Sequence, residues 1–446
     1  MQRKIWRRMS SHLGVSAASA AAVLLAAANV AQADPFTFTK IIDTTYAVPG
    51  GQYGNFSAVN LAAVDGASTA FVGSFTANGQ TASGLYRLDH GVAAPIADLS
   101  ITAPGGGGAF KSIVATGDYL GGNMVFAAKT TDGLQGLYQY NSGGLSLLIR
   151  QGDVLPGGTA TLVSFPSRGI AGDQGEFAFG AHRSDNSDGM YQTAGAVPMY
   201  VADERTRVPG PELGNFVDFP DVHMKDGRTV FVGRSIDADN PDNTVAEPAG
   251  VFVATPGNPV SPVVFRGQLV PGGIDNDMRF TEFEKPRVDK LNRIVFTGGW
   301  INEEDENSEE RLAGVYAVNV DGSIKIIADS LMNLPDKRDD VEEFWGYTTD
   351  GPKAIVGMQD MSGGSYIYMA NDFGPWSKIL DSYDTLDGKS ISRIRFAGDT
   401  IEGGLLTLRV TFTDGSSGLY TVQTPEPAAV GLLGAASLMV LRRRRS

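Results

Sequence analysis

The chain of 446 residues contains no cysteine and only four histidines. Without cysteine there is no disulfide framework, thiolate nucleophile, Cys-type zinc or iron-sulfur site, or attached c-type haem, so stability must come from packing. There is also little basic charge: 36 Lys and Arg stand against 50 Asp and Glu. That balance argues against nucleic acid as a partner, because phosphate binding needs a basic footprint. Long amphipathic stretches are missing as well. What the chain has in abundance is glycine, 56 residues, together with 22 prolines. These punctuate many short strands and turns rather than long helices. With 42% hydrophobic and 19% charged residues the composition is globular, and the length allows a large core.

The two ends read as addresses. Residues 1–33 carry Arg3, Lys4, Arg7 and Arg8, an apolar run from Ala17 to Val30, and Ala31-Gln32-Ala33. That order is a secretory signal peptide with cleavage expected after Ala33. The Arg7-Arg8 pair leaves a twin-arginine route open beside the general one. Residues 425–446 begin with Pro425-Glu426-Pro427, continue with fourteen uncharged residues from Ala428 to Leu441, and end with Arg442, Arg443, Arg444, Arg445 and Ser446. Fourteen helical residues rise about 21 Å, short of the roughly 30 Å of bilayer hydrocarbon. The segment suits a transient stop, with the arginines held on the cytoplasmic side. A simple tail anchor is the plain alternative.

This combination of Pro-Glu-Pro, short apolar helix and terminal arginines resembles the PEP-CTERM sorting signal. The resemblance covers only the last 22 residues. It implies export by a bacterium that makes exopolysaccharide, and cutting near Pro425 to Pro427 by an exosortase. Signal peptidase and exosortase are then the expected partners during export, with membrane contact only through the C-terminal helix before processing. The end product is expected at the cell surface or in the extracellular matrix. The two ends hold eight of the basic residues and one acidic residue, so residues 34–424 carry a formal charge near −21.

The body, residues 34–424, repeats. Gly84-Leu85-Tyr86, Gly136-Leu137-Tyr138, Gly189-Met190-Tyr191, Gly250-Val251-Phe252, Gly314-Val315-Tyr316 and Gly418-Leu419-Tyr420 share one pattern, and Tyr366-Ile367-Tyr368 fills the gap with tyrosine for glycine. The spacings are 52, 53, 61, 64, 52 and 52. Upstream of each copy lies an apolar strand such as Ala70-Phe71-Val72-Gly73, preceded by a tight-turn signal such as Asp65-Gly66 or Asp226-Gly227. A second turn and a β-rich run follow. Four short strands per unit and seven units predict an all-β, seven-bladed β-propeller. The order also resembles TolB-like and WD-type propellers, although the WD dipeptide is absent. In that frame residues 36–43 form an outer strand that completes the last blade and closes the ring.

Candidate sites are sparser. Strand alternation puts the variable loops on one face, and these loops hold much of the acid. Asp237, Asp239 and Asp242 are the best candidate calcium ligands, since clustered carboxylates suit a hard cation, yet the stretch lacks the glycine and distal glutamate of an EF-hand. Glu303, Glu304, Asp305 and Glu306, with Trp300 and Trp345 beside the acidic loops, form a candidate ligand face. Solvated acidic loops and core tryptophans are the plainer account of the same residues. Aspartates 43, 98, 203, 329 and 381 recur at the end of the outer strand, where Asx-type turns are expected. No G-x-S-x-G, H-E-x-x-H, P-loop or sialidase-type Asp box occurs, so no cofactor and no enzymatic activity are expected.

The sequence thus predicts an exported, acidic propeller that acts as a binding or structural component associated with exopolysaccharide, with polysaccharide or surface proteins as partners. The alternative is a secreted carbohydrate-active enzyme using paired carboxylates on the variable-loop face.

Overall fold

The computed structural model describes residues 36–424, apart from 66–67, 167–168, 195–196, 211–213, 237–245, 272–277, 302–310, 372–373, 397–400 and 403. The signal-peptide site at Ala33 and the sorting residues Pro425, Glu426, Pro427 and Arg442 to Arg445 lie outside the described residues. So do Asp237, Asp239, Asp242 and Glu303, Glu304, Asp305 and Glu306. Among the described residues no helix is long and apolar enough to cross a membrane.

Phe38–Val422 form one compact all-β unit. Seven antiparallel sheets follow one another along the chain as the blades of a β-propeller. The first blade is Ala58–Asp65, Ser68–Ala77, Gln80–Asp89 and Val92–Ala97, paired in that order. The second begins with Phe110–Leu120, the fifth with Arg279–Val288 and the sixth with Val341–Asp350. In the third and fourth blades the innermost strand is broken, into Leu162–Ser164 with Ile170–Asp173 and Phe216–Asp218 with Val222–Lys225. The seventh blade pairs Thr37–Asp43, Ser417–Gln423, Leu405–Phe412 and Lys389–Arg395 in space, with Ile401–Glu402 also against Leu405–Phe412. Its outer strand therefore comes from the start of the body and its other strands from the end. Thr44 N donates to Ser417 O at 3.0 Å across this seam. Closure of this kind covers the edge of Ser417–Gln423 and ties the ring without a covalent link.

The repeated Gly-x-Tyr has a steric cause. At Gly84, Gly136, Gly189 and Gly314, an added Cβ would stand 2.7 to 3.0 Å from the ring or hydroxyl of the tyrosine two residues on. The ring folds back along its own strand over the bare Cα, and only glycine leaves room for it. Tyr86, Tyr138, Tyr191 and Tyr316 are fully buried in consequence. In four blades a phenylalanine in or just before the first strand meets the third-strand ring edge-on at 4.8 to 5.0 Å: Phe56, Phe110 and Phe280 meet a tyrosine and Phe216 meets Phe252. A second-strand phenylalanine stacks on it, as Phe71 does at 5.4 Å and Phe296 at 5.6 Å. Edge and stacked contacts of this kind add about 0.5–1.5 kcal/mol each beyond area burial.

The apolar clusters run between blades rather than within them. One joins Ile42 and Leu419 of the seventh blade to Phe56, Phe71 and Tyr86 of the first. Others bridge the first and second blades through Leu85 and Phe126, and the fourth and fifth through Val251 and Phe296. Each recurrent aspartate closes the expected turn: Asp43, Asp98, Asp203, Asp329 and Asp381 accept from the backbone N–H two residues on, at 2.8 to 3.1 Å.

Candidate functional site

In a propeller the innermost strands surround the axis, and here they enclose a cavity of ≈ 560 Å³. A second cavity of ≈ 120 Å³ is lined by residues later in the same strands, so it lies nearer the tight-turn end. Asp118 and His223 line both.

The inner segments carry several charged or titratable residues, of which Asp118, Asp221, His223, Lys285 and Arg287 line this cavity. Asp118 follows Gly117, where a Cβ would press on Val125 O at 3.2 Å and on the Ala171–Gly172 backbone at 3.3 Å. The glycine lets the inner strands of the second and third blades approach closely, and a register shift between Thr116 and Tyr119 goes with it. His223 is 3% exposed on the fourth blade. Its Nδ1 accepts from Val288 N of the fifth blade at 3.2 Å. A ring nitrogen that accepts carries no proton, so the proton sits on Nε2, which faces Asp118 Oδ2 at 3.7 Å. That separation is beyond a direct hydrogen bond but close enough for electrostatic coupling.

Lys285 supplies the most distorted backbone on the cavity wall. Among the described residues nine non-glycines have positive φ; eight lie in turns or bends, and Lys285 alone, at φ 51°, lies inside a strand. A left-handed residue there costs of order 1–3 kcal/mol and persists only where neighbours over-determine it. They do so from both sides. Asp221 Oδ2 of the fourth blade accepts from Lys285 N at 3.4 Å. Tyr347 Oη of the sixth blade bonds both Lys285 O and Val295 O, the latter at 2.6 Å. The register shift between Glu284 and Arg287 is the resulting bulge. The Lys285 ammonium meets Glu284 at 2.6 Å.

Chemically the cavity offers a carboxylate and an imidazole side by side, a second carboxylate at Asp221, two cations at Lys285 and Arg287, and aromatic surface from Tyr347, Trp345 and Phe396. Such a mixture suits a polar ligand with hydroxyl groups and flat apolar faces. Among the described residues no group of three or more acidic or histidine side chains is arranged to hold a metal ion.

The two predicted tryptophans separate. Trp300 is 2% exposed, and its indole N–H donates to Tyr316 Oη at 3.0 Å. It belongs to the cluster between the fourth and fifth blades, which fits the core account of this residue. Trp345 takes the place that phenylalanine holds in other blades: a Cβ on Gly357 would collide with its ring, as one on Gly233 would with Phe216. It packs on Phe396 at 5.0 Å and reaches the cavity wall. Sequence reading did not single out Asp118, Asp221 or Lys285, and found no partner for His223. The available signal was charge inside otherwise apolar inner strands, as in Gly117-Asp118 and Asp221-Val222-His223.

A family model described as "Family of unknown function (DUF7453)" matches residues 28–343, and the chain belongs to that family. No curated protein matches the sequence. Similar solved structures include polysaccharide lyase Uly1, at 11% identity and TM-score 0.46, over 89% of this chain and 98% of that one. The β-propeller domain of the Trilobed protease from Pyrococcus furiosus matches at 10% identity and TM-score 0.34, over 74% and 100%. The endo-arabinase from Bacteroides thetaiotaomicron matches at 12% and 0.30, over 61% and 97%. Such likeness concerns the fold alone. One expectation is corrected here: against the expectation of no enzymatic activity, the similar structures include a polysaccharide lyase and an endo-arabinase.

Proposed function

For this member of the family we propose that the exported propeller recognises polysaccharide, taking a segment or chain end into its axial cavity. The observation that carries the reading is the convergence of Asp118, His223, Asp221 and Lys285, from three blades, with the aromatic surface of the sixth. Saccharides need this mixture: polar groups in fixed positions for hydroxyls, and flat rings for the apolar faces of the sugar. The amino-terminal signal peptide and the resemblance of residues 425–446 to PEP-CTERM signals support the address. On that reading signal peptidase and an exosortase process the chain, and the mature protein resides at the surface or in the exopolysaccharide matrix. A candidate calcium site at Asp237, Asp239 and Asp242 belongs to the same proposal.

A glycan array and calorimetric titration, with and without calcium, test this. Binding is expected to weaken about tenfold or more in Asp118→Asn and His223→Gln at unchanged melting temperature. Equal binding by the wild type and both variants would move the site off the axis, and an array without hits would end the reading.

The juxtaposed Asp118 and His223 favour a second reading, cleavage of the glycan by acid–base chemistry at this pair. Release of reducing ends that His223→Gln abolishes while binding persists would establish it. Release unchanged in that variant would dismiss it.

A further inference from the structure

The wall between the sixth and seventh blades carries a feature at odds with the rest of this acidic body. Arg395 and Arg409 are directly opposed partners of adjacent antiparallel strands, and Arg393 pairs with Thr411 one step along. Partners in such a ladder share a face, and so do residues two apart, so the three guanidiniums lie on one side of the blade. Like charges placed directly opposite are destabilising. The carboxylate acting on Arg395 is Glu343; Glu342 beside it is engaged by Gln359 at 3.0 Å.

The arrangement is also held in place. The Arg395 guanidinium lies over the Trp345 ring, 4.5 Å from its centroid. Its Nη1 donates to Ile394 O at 3.0 Å and to Ser365 Oγ at 3.5 Å. Arg409 Nε is buried and has no hydrogen-bond partner among the described residues. A buried donor left unmade costs about 1–3 kcal/mol. Burial and the neighbouring Arg393 push the pKa of Arg395 down to about 10, and burial with Arg393 also lowers that of Arg409. Guanidiniums keep their proton in proteins, so both side chains remain charged despite their burial. Trp345 and Phe396, which follows Arg395, both line the axial cavity, so the cluster stands beside it.

From these observations we infer that Arg393, Arg395 and Arg409 form an anion subsite beside the axial cavity, which takes a carboxylate or sulfate ester carried by a saccharide. Each planar guanidinium presents a fork of donors that matches two oxygens of one acid group, which a lysine ammonium does not. A neutral sugar brings no charge to offset the repulsion among the three guanidiniums. The inference deepens the polysaccharide reading by naming an acidic chain, and rests on it for the saccharide part alone.

The test uses the full propeller and three probes at matched ionic strength: sodium galacturonate, glucose 6-sulfate and glucose. Thermal melting and tryptophan fluorescence are followed in the wild type, in Arg393→Gln, which changes an exposed side chain, and in Arg409→Met. Either acidic sugar at millimolar concentration is expected to raise the melting temperature of the wild type, with glucose inert, and Arg393→Gln is expected to weaken the response about tenfold. The acid probe giving the larger response identifies the anionic group. Should Arg409→Met fail to fold, Arg393→Gln decides alone. Equal responses to glucose and the acidic sugars, or an undiminished response in Arg393→Gln, overturns the subsite. Neutral oligosaccharide binding that depends on Asp118, with no response to acids, would overturn the subsite and leave the polysaccharide reading standing. A response to acids with no oligosaccharide bound would do the reverse.

Discussion

Blades one to five and blades six and seven solve one packing problem differently. In the first, second, fourth and fifth, a phenylalanine in or just before the first strand, a second-strand phenylalanine and a third-strand tyrosine or phenylalanine interlock around a glycine. The sixth blade replaces the third-strand glycine with Tyr366, the first-strand phenylalanine with Trp345 and the second-strand phenylalanine with Val356. Tyr366 can stand where glycine is usual because its hydroxyl finds its own partner, Asp360 Oδ2 at 2.8 Å. The polar accounts differ too. Trp345 Nε1, Thr348 Oγ1, Thr407 Oγ1 and Arg409 Nε, all in the last two blades, are buried without a hydrogen-bond partner among the described residues. In the third blade Tyr191 Oη is likewise buried without a hydrogen-bond partner among the described residues, but Thr193 Oγ1 accepts from Phe177 N at 2.8 Å, and Arg183 Nη1 meets Asp203 Oδ2 at 2.9 Å. Unfavourable polar burial occurs in the regular blades too, as at Tyr191 Oη, but it is concentrated in the last two, as it commonly is at sites for ligands.

The largest expected effect breaks the seventh blade. Deleting residues 36–43 removes its outer strand, including buried Phe36 and Ile42, and exposes the edge of Ser417–Gln423. Loss of a single cooperative melting transition is expected by calorimetry, and an unchanged melt would contradict closure by this strand.

Next comes the buried pair of the third blade. Asp203→Ala removes one of the two carboxylates on Arg183, whose side chain is 6% exposed and which keeps Asp185 at 2.6 Å, and is expected to cost about 1.5–3 kcal/mol in urea unfolding. Burial alone would raise the pKa of Asp203, but its bonds to Arg205, Tyr200 and Arg183 outweigh it and hold the carboxyl well below the usual carboxylate range. A lowered folded value means that this stability is present above the unfolded value of about 4 and disappears as pH falls toward the folded one. Asp203→Asn is therefore expected to flatten the acid limb of a stability-against-pH curve, and an identical limb would refute the linkage.

A smaller effect tests the repeat itself. Gly84→Ala places a Cβ 2.7 Å from Asp98 Cβ and 2.8 Å from Tyr86 Oη, and is expected to cost about 1–3 kcal/mol. The smallest effect sharpens the comparison most. Thr193→Val leaves Phe177 N–H unpaired and is expected to cost about 1–2 kcal/mol, whereas Thr407→Val removes an unpaired hydroxyl and is expected to be neutral or stabilising by up to about 1 kcal/mol. Equal losses would show that the two walls do not differ.

Much of the architecture was legible because it depends on local chemistry repeated seven times. Gly-x-Tyr, the Asp-Gly turns and the recurring aspartates each act within a few residues of their own position, so their spacing carries into sequence undisturbed. The candidate site was not legible. His223 and Asp118 are 105 residues apart, and Asp221, Lys285 and Tyr347 come from three different blades. Each looks like an isolated charge or ring in a strand. Trp345 was visible as an unusual residue, but its contact with Arg395 depends on how the sixth blade packs against the seventh.

By itself the sequence determined the strand pattern, the sevenfold count, the turn chemistry and the exchange of the first strand into the last blade, all of which follow from short-range sterics and hydrophobic alternation. Only the tertiary structure decided which charges meet on the axis and which arginines oppose one another. Those contacts are set by blade-to-blade packing and strand register, and no local pattern of residues encodes either.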